Sequence, residues 1–482
     1  MKDGGSIELR KVSDTLFEIP RSGGMRVAGR IYADEKLLSE IEGEGGLAQV
    51  RNVAHLPGIV GYSLAMPDVH WGYGFPIGGV AATDPEQGGV VSPGGVGYDI
   101  NCGIRLCPTR LTVDEVRPRI DKLVARLFSN IPCGVGSEGA IPSVSKKELQ
   151  AVMRLGARWA IEKGYGDPGQ TKNIEDDGRI EGADPDAVSE RAVERGLEQI
   201  GTLGSGNHFA EIDVVDRIFN PEVARSFGIE ENQIAILIHT GSRGFGYQIC
   251  DDYLRTLGRA MQKHGIQLPD RQLACAPVAS EEGRAYLAAM ACAANFAWAN
   301  RQTIQHLAEK ALIDGMGRSR GDIGLRLLYD VSHNVAKIEW HEVEGKLRRL
   351  CVHRKGATRA HLPRGQEGRW PHGQPVIIPG DMGTESYICV GTERSLGETF
   401  GSTCHGAGRV LSRTAARARF GKRDLVRELA DGGITVMAKG RGTLAEEMTG
   451  AYKNVERVVD VMDRAGISRK VARLRPLGVI KG

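Results

Sequence analysis

The 482-residue chain lacks the features of a membrane-bound or secreted protein. No stretch approaches the ~20 consecutive apolar residues that a membrane-spanning helix needs. The nine cysteines are an odd number without a CxxC pair, and the first residues, MKDGGSIE, contain no apolar signal segment. We therefore expect a protein of the reducing cytoplasm with no membrane role.

Motifs of several common enzyme classes are also absent. There is no GxxxxGK[ST] phosphate loop, no HExxH pair and no GxSxG elbow, so the usual NTPase, metalloprotease and hydrolase mechanisms lose support. No internal repeat or low-complexity tract is present, which argues against a solenoid. The formal net charge of +3 neither requires nor excludes a nucleic-acid partner, because a sequence-independent binder usually carries a larger basic excess.

The patterns that are present predict an α+β fold. A capping box at 112–115 predicts a helix to about residue 130, and a longer helix follows Ser280. Apolar runs at 90–91, 233–238, 325–331 and 374–378 predict strands. Because helices and strands do not alternate regularly, we expect mixed sheets. No linker is clear enough to divide the chain, so we expect one large domain over 1–482. The polar segment 134–200, partly helical at 146–163, predicts an insertion or a mobile flap.

Metal-binding residue types recur beside turns. Asp99 and Cys102 follow a glycine-rich turn, and His208, His239 and His333 lie at strand ends. A carboxylate, a thiolate and three imidazoles would complete one or two divalent cation sites. Taken singly, each residue is about as well explained as a buried cysteine or a hydrogen-bonded core histidine. Ligand chemistry favours zinc, and the sequence does not separate zinc from manganese.

His405 has a different setting, since glycines follow it and arginines recur at 409, 413 and 417. We expect the glycines to open a helix whose free N–H groups bind phosphate, with His405 attacking a phosphorus held there. The alternative is a solvated basic helix. Residues 353–359 predict either a second anion site or a charged surface loop, and the small-residue loop at 379–386 could approach a nucleotide. His70 is a fifth histidine beside a glycine.

From about Met66 to Gly482 the chain resembles the RtcB-type RNA ligases, also called 3′-phosphate or tRNA-splicing ligases. The resemblance rests on nine motifs in order: MPDVHWGYGFPIGG, GGVGYDINCGIR, GNHFAE, HTGSRGFG, DVSHN, HRKGATRA, PGDMGT, HGAGR and RPLGVIKG.

The resemblance implies two Mn²⁺ ions bridged by Cys102, one held by Asp99 and His208 and the other by His239 and His333. It also implies that His405 becomes covalently guanylylated by GTP. The residues that would hold the nucleotide are Asn207, His208, Phe209, Ala210, Glu211, His333, Asn334, Pro379, Gly380, Asp381, Met382, Ser386, His405, Gly406, Ala407, Gly408 and Lys481. The role of Lys481 requires an ordered C-terminal segment.

The implied reaction joins an RNA 2′,3′-cyclic phosphate or 3′-phosphate end to a 5′-hydroxyl end, in tRNA splicing or RNA repair. The implied partners are broken RNA or tRNA halves, GTP and an activating protein such as archease. One departure stands out, because Asp381 replaces the small residue, such as serine, that many relatives carry, and it places negative charge near a phosphate. Two other hypotheses remain: a binuclear phosphoesterase without a covalent intermediate, and an RNA-binding accessory protein with a structural metal.

Overall fold

The structure, a computed structural model, describes residues 7–42, 45–361 and 370–482. The first six residues, which belong to the segment without a signal pattern, lie outside the described residues. The strands are β1 (Arg10–Ser13), β2 (Leu16–Ile19), β3 (Ala28–Tyr32), β4 (Ile59–His70), β5 (Ile77–Thr83), β6 (Val90–Val91), β7 (Gly103–Thr112), β8 (Phe209–Ile218), β9 (Gln233–Thr240), β10 (Ala276–Pro277), β11 (Tyr329–Ser332), β12 (Asn334–Val343), β13 (Lys346–Lys355), β14 (Ala357–Arg359), β15 (Pro375–Ile378), β16 (Ser386–Gly391), β17 (Ser402–Cys404), β18 (Thr435–Ala438) and β19 (Ser468–Lys481).

The helices pack around these strands. They are α1 (Glu35–Glu42), α2 (Gly46–Val53), α3 (Val113–Val116), α4 (Ile120–Asn130), α5 (Lys146–Leu155), α6 (Ala157–Glu162), α7 (Glu190–Gly196), α8 (Pro221–Phe227), α9 (Arg243–Lys263), α10 (Glu281–Met316), α11 (Arg320–Ile323), α12 (Glu393–Thr399), α13 (Arg413–Phe420), α14 (Leu425–Asp431), α15 (Arg441–Glu446) and α16 (Val455–Arg464). Within the described ranges, none of them combines the length and apolar character that crossing a bilayer requires.

Two large mixed sheets organise the chain. The first has the strand order β1-β2-β3-β4-β5-β13-β12, and the second has the order β11-β7-β9-β8-β19-β16-β15, with β18 beside β19. Strands β3 and β4, and likewise β18 and β19, are parallel, whereas the other pairs are antiparallel. The expected α+β class with mixed sheets is confirmed.

The second sheet is buried on both faces, and strand alternation decides which residues face which layer. Along β9, Ile234, Ile236 and Ile238 pack into the core that contains α10, while Ala235 and Leu237 pack into a second core with α13 and α14. By the same alternation, His239 lies on the face of β9 that carries Ala235 and Leu237. The candidate site therefore lies at one end of the face turned away from α10.

Helix α10 is the 36-residue centre of the larger core. The Ser280 hydroxyl caps it by accepting the Gly283 N–H at 3.1 Å, as expected from the sequence. Met290, Ala294 and Trp298 have 1% exposure or less, and Leu287 on the same side is partly buried. Helices α4, α5, α6 and α9 all pack against α10.

Three predicted elements differ in detail. The helix expected over 112–130 begins with the predicted capping box but is split into α3 and α4, because Pro118 lies between them and lacks an N–H donor. The strand expected at 325–331 begins only at Tyr329. The helix at 146–163 is divided at Gly156, whose φ is +59°.

The segment 134–200 carries α5, α6 and α7. Leu149, Val152 and Trp159 from this segment belong to the same core as α10. These contacts tie the segment to the domain, while its origin as an insertion stays a prediction.

A buried ion cluster links α10 to the second sheet. Asp330 on β11 accepts hydrogen bonds from Arg105 Nε at 2.8 Å and from Arg301 Nη2 at 2.8 Å, and all three side chains are fully buried. Two guanidinium groups share one carboxylate, so their burial depends on it.

We predict that Asp330→Asn lowers the free energy of unfolding by about 3–5 kcal/mol, because two buried cations lose their counter-charge. Chemical denaturation measures the change. The matched control is Asp251→Asn, which breaks the exposed Asp251–Arg255 pair on α9 and should cost at most about 1 kcal/mol. Equal losses in both variants would contradict the assigned role of Asp330.

Candidate active site

Ligand-type side chains from four segments meet at one end of the second sheet. His239 near the end of β9 is flanked by the starts of β7 and β8. Cys102 immediately precedes β7, with Asp99 in the turn before it, and His208 immediately precedes β8. β11 pairs with the other edge of β7, and His333 follows its last residue. Strand order therefore gathers residues that are far apart in the chain.

These residues form two overlapping groups that could hold metal ions, Asp99–Cys102–His208 and Cys102–His239–His333. The ligand atoms of each group lie within 4.8 Å of one another. Cys102 Sγ is 3.5 Å from His208 Nε2 and 3.3 Å from His239 Nε2. The Asp99 Oδ2 to His208 Nε2 distance is 2.8 Å. The thiol is shared, as a bridging ligand would be.

The protonation states of the candidate histidine ligands favour the binding of a cation. Burial first, and then neighbouring positive groups, hold the pKa of His239 and His333 well below the ordinary value, so both imidazoles are neutral at pH 7. Burial and the Asp99 carboxylate raise the pKa of the Cys102 thiol. The raised pKa favours the protonated thiol, whereas a bound divalent cation would favour the thiolate.

The donor set also passes a test of fit. Thiolate, imidazole and carboxylate together suit zinc and other first-row divalent cations. Asp99 Oδ1 and His333 Nδ1 are buried without a hydrogen-bond partner among the described residues. Unpartnered buried acceptors are costly unless an ion or another ligand satisfies them.

His405 follows β17, and one buried carboxylate fixes its imidazole. Asp68 Oδ2 accepts hydrogen bonds from His405 Nδ1 at 2.6 Å, from the His405 backbone N–H at 2.9 Å and from the Gly406 N–H at 3.2 Å. Burial alone would raise the pKa of Asp68, but the imidazole and these hydrogen bonds outweigh burial and hold the pKa below its usual value. With Nδ1 donating to Asp68, the Nε2 lone pair remains available.

The His405 ring lies edge-on to His333, with 5.0 Å between the ring centroids. Its side chain is 13% exposed, so it does not point into a closed interior. His405 therefore stands beside the candidate metal ligands and is open to a shared cavity.

A cavity of about 340 Å³ joins these groups. The sequence-predicted residues on its wall are Asp99, Cys102, Asn207, Phe209, His239, His333, Asn334, Pro379, Gly380, Asp381, Met382, His405, Gly406, Ala407, Gly408 and Lys481, and His70 lines it as well. The structure thus brings most of the predicted set around one space.

Four predicted residues lie behind the wall. Ala210 packs into the core on the α10 side, because strand alternation turns it away from its neighbours Phe209 and Glu211. The Ser386 hydroxyl accepts the Gly380 N–H at 3.1 Å and so supports the 379–382 loop. His208 belongs to the ligand cluster without lining the cavity, and Glu211 is fully buried.

Buried acidic groups surround Lys481. Burial raises the pKa of Glu211 well above its ordinary value, with Asp213 adding to the effect, and burial raises the pKa of Asp213 to about 8. Neither carboxyl has a hydrogen-bond partner among the described residues. Burial lowers the pKa of Lys481, which Glu447 and Glu211 partly restore. This half-satisfied cluster can accept donors from a bound molecule.

Asp381 is held as part of its turn. Its Oδ1 accepts the Gly383 N–H at 2.9 Å and the Thr449 hydroxyl at 2.6 Å, whereas Oδ2 has no partner among the described residues. Burial raises the pKa of Asp381. Burial thus opposes the ionisation of Asp381, whereas its hydrogen bonds and Lys481 favour it.

The turn after His405 differs from the expectation. Residues 406–412 are not helical, and α13 begins only at Arg413, capped by Ser412. The glycines thus do not open a helix, and Arg409 lies outside it. Gly408 has φ +70°, and a Cβ there would lie 2.2 Å from the Asp68 carbonyl oxygen. Close packing against Asp68 explains that glycine.

The three arginines converge on two neighbouring carboxylates. Arg409 Nη1 is 3.1 Å and Arg413 Nε 3.6 Å from Glu447, while Arg417 Nε is 2.6 Å from Glu446. Arg413 and Arg417 stay largely exposed, with side chains 57% and 60% accessible. They remain available to an anionic partner.

Residues 353–355 are the last of β13, and residues 357–359 form β14. The alternative of a charged surface loop is therefore wrong. Arg354 is fully buried and pairs with Glu339. Lys355 donates to the carbonyl oxygens of Tyr73 and Phe75 at 2.7 and 3.1 Å, and burial lowers its pKa to about 7. Lys355 lines the cavity.

Sequence reasoning missed several residues of the site. Asp68 lies two positions before His70 in a motif already noted, but nothing local showed that its carboxylate reaches His405. Tyr452 and Glu447 also line the cavity and hydrogen-bond to each other. Their segment carries no motif, so only the tertiary contact reveals them.

Hydrogen bonds from Arg301 on helix α10 connect the segments that carry the candidate ligands. Arg301 Nη1 donates to the carbonyl of Asn101, next to Cys102, at 2.7 Å and to that of Thr240, next to His239, at 2.8 Å. The same guanidinium binds Asp330 on β11, three residues before His333. One side chain therefore sets the spacing of three candidate ligands.

Asn300, the residue before Arg301, supports the remaining segments. Its Oδ1 accepts the N–H groups of Gly201 and Thr202 at 2.7 and 3.1 Å, and its Nδ2 donates to the carbonyls of Thr202 and Gly241. These bonds hold the loop that leads to His208.

Fold and site together define a class: α+β proteins in which a cysteine- and histidine-rich cluster able to hold divalent cations adjoins a separate, oriented histidine. The family described as tRNA-splicing ligase RtcB matches residues 49–482. A tRNA-splicing ligase RtcB of Archaeoglobus fulgidus is 53% identical over 479 residues, covering 98% of this chain and 99% of the relative. That of Thermococcus kodakarensis is 50% identical over 483 residues, 99% of both chains. An RNA-splicing ligase RtcB of Mycobacterium tuberculosis is 51% identical over 438 residues, 90% of this chain and 100% of the relative. The chain belongs to the RtcB family of tRNA-splicing ligases and is a ligase.

We predict that Arg301→Gln weakens Mn²⁺ binding by about 10- to 100-fold, because an outer support of the ligand set is lost. Equilibrium binding followed by the electron paramagnetic resonance of free Mn²⁺ measures it. Arg105→Gln is the matched control, since Arg105 is equally buried and also binds Asp330, but its other donors go to Gln302 and Gln305. If both variants lose the same affinity, Arg301 acts only through general stability.

Proposed function

We propose that this ligase is GTP- and Mn²⁺-dependent and joins RNA ends carrying a 2′,3′-cyclic phosphate or 3′-phosphate to 5′-hydroxyl ends through a histidine–GMP intermediate. The observation that carries the proposal is the orientation of His405. Its Nδ1 is committed to Asp68, its ring stands against His333, and its Nε2 is the atom left to react in the cavity. An imidazole that is held in one orientation with an unprotonated Nε2 is a competent nucleophile.

The two ligand groups around Cys102 support a pair of metal ions in this role. Asp99 and His208 would hold one ion, His239 and His333 the other, with the Cys102 thiolate between them. Divalent cations so placed supply charge stabilisation to attacking and leaving oxygens. The neutral imidazoles of His239 and His333 could bind such ions directly, and a bound ion would favour the thiolate form of Cys102.

Recognition of guanine is supported by the buried carboxyl groups. Glu211 presents two oxygens without partners among the described residues, close to Lys481 and Asp381. When ionised, the Glu211 carboxylate offers only acceptors, which match guanine N1–H and N2–H₂ and leave adenine N1, itself an acceptor, without a partner. The neighbouring Lys481 ammonium favours that ionised form. GTP is accordingly the proposed nucleotide.

Each proposed step exchanges one bond at phosphorus. First, His405 Nε2 bonds to the α-phosphorus of GTP and pyrophosphate leaves. Next, an oxygen of the RNA 3′-phosphate takes the GMP as the P–N bond breaks. Finally, the 5′-hydroxyl oxygen attacks the RNA 3′-phosphorus, GMP leaves and the hydroxyl proton is released. A cyclic end is first hydrolysed to the 3′-phosphate.

The exposed arginines support RNA as the substrate. Arg413 lines the cavity mouth, and Arg417 lies one helical turn further along α13. Contacts from such residues to phosphate give affinity without sequence choice. The described cysteines are all free and buried, in keeping with the proposed cytoplasmic setting. An activating partner such as archease remains part of the proposal.

We predict that the protein incubated with Mn²⁺ and α-³²P-labelled GTP acquires an acid-labile, alkali-stable label. His405→Ala should abolish the label. Asp68→Asn should reduce the rate of labelling, because the acceptor that holds the imidazole Nδ1–H loses its negative charge. His264→Ala changes an exposed histidine paired with Glu282 and should label normally, and α-labelled ATP should give little label. Labelling that survives His405→Ala would overturn the assignment, and RNA end hydrolysis without any label would favour a phosphoesterase.

A second prediction concerns the shared ligand. Cys102→Ala should abolish tight Mn²⁺ binding, because it removes one ligand from each group. Cys107→Ala is the matched control, since Cys107 is equally buried but lies on the α10 side of β7; it should bind like the unaltered protein. Isothermal titration calorimetry gives the stoichiometry. Retention of two tight ions by Cys102→Ala would exclude a bridging role.

A further inference from the structure

Three tyrosine rings, each in contact with the next, form a row from the candidate active-site cavity to the protein surface. Tyr73 and Tyr98 meet edge to face with ring centroids 5.9 Å apart, and Tyr98 stacks on Tyr247 at 4.6 Å with an interplanar angle of 24°. We call Tyr73, Tyr98 and Tyr247 the tyrosine ladder. The three come from distant parts of the chain, so the ladder is a product of the fold.

The inner end of the ladder belongs to the site already described. Tyr73 and Tyr98 line the same cavity as His405 and Cys102. Tyr98 directly precedes Asp99, one of the candidate metal ligands. A chain whose reacting end lies in the cavity can therefore leave it along the ladder.

The outer end is open to solvent. Tyr247 on α9 is 48% exposed, whereas most large apolar side chains of the protein are buried. The Arg195 guanidinium lies 5.4 Å from the Tyr247 ring centroid. Arg195 is itself exposed, donates a hydrogen bond to Gln248 Oε1 at 3.1 Å and forms no ion pair within the part of the chain that the structure describes. An exposed aromatic face beside an unpaired cation does not serve core packing.

This combination matches the chemistry of a single-stranded nucleic acid. Bases stack on aromatic rings, a guanidinium adds cation–π and phosphate contacts, and such stacking tolerates any base because each has a π-face. Bases of a duplex are already stacked, so a platform of this kind selects unpaired nucleotides.

Building on the proposed RNA-joining function, we propose that the tyrosine ladder is the subsite for unpaired nucleobases next to the RNA end that reacts in the cavity. Tyr247 carries an incoming base on its exposed side, with Arg195 near the adjoining phosphate. The ladder thereby favours frayed or single-stranded ends over fully paired ones and places no demand on base identity.

The test compares Tyr247→Leu with Tyr247→Phe. Leucine keeps apolar volume without a π-face, and phenylalanine keeps the ring without the hydroxyl. Fluorescence anisotropy with a labelled single-stranded RNA, without GTP, should show about 5- to 100-fold weaker binding for Tyr247→Leu and near-unaltered binding for Tyr247→Phe. The KM for RNA in ligation should rise in parallel. Labelling by GTP, which needs no RNA, should be unchanged.

Two controls isolate stacking. Trp340→Leu alters another exposed aromatic, 64% accessible on β12 and outside the cavity wall, and should leave RNA binding intact. An RNA with abasic positions next to its end should bind the unaltered protein as weakly as it binds Tyr247→Leu.

Unchanged RNA binding by Tyr247→Leu would overturn the proposal and leave the patch to a protein partner. An equal loss with Tyr247→Phe would show that the hydroxyl, and not the ring, is used. Failure of GTP labelling in the unaltered protein would instead count against the ligase mechanism, because the binding assay uses no nucleotide.

Discussion

The active site depends on one buried interaction, the guanidinium of Arg301 shared between Asp330 and two backbone carbonyls. These contacts fix the turn before Cys102, the end of β9 after His239 and the strand that leads to His333. A candidate set of metal ligands assembled from four chain segments needs such a common reference point, because each segment alone has the freedom of a strand end. The rigid helix α10 supplies it, and the cost of burying the arginine is offset by a full set of acceptors.

Around this frame, the site combines satisfied and unsatisfied groups in an ordered way. One oxygen of Asp68 accepts hydrogen bonds from three donors and orients His405, whereas the other oxygen of Asp68, both oxygens of Glu211 and Asp213 and one oxygen of Asp381 have no partner among the described residues. Oxygens that accept hydrogen bonds fix the positions of their donors, whereas oxygens without a partner can still bind a ligand. A core built for stability alone would not keep several unpaired carboxyl groups so close together.

Much of this was predictable from local patterns. Capping residues placed the start of α10, hydrophobic runs placed β6, β9, β15 and the position of β11, and residue type indicated Asp99, Cys102 and the histidines as candidate ligands. Local patterns failed where a nearby breaker or a distant contact decided the outcome. Pro118 divides a helix whose apolar spacing continues across it, and Gly408 accommodates the Asp68 backbone instead of helping to open a helix. The burial of 353–359 could not be foreseen from its charges, because those charges are neutralised by residues remote in sequence, such as Glu339.

The sequence by itself determined the chemical inventory: which side chains can ligate, attack phosphorus or bind an anion, and through its ordered motifs the family to which the chain belongs. Only the tertiary structure decided which of them act together. Strand order set Cys102 between two ligand groups, strand alternation turned Glu211 toward the site and Ala210 away from it, and the fold brought Asp68 to His405 across more than three hundred residues. The reason is physical, since reactivity follows from residue type, whereas distances between segments follow from packing and hydrogen bonds that no local stretch of sequence contains.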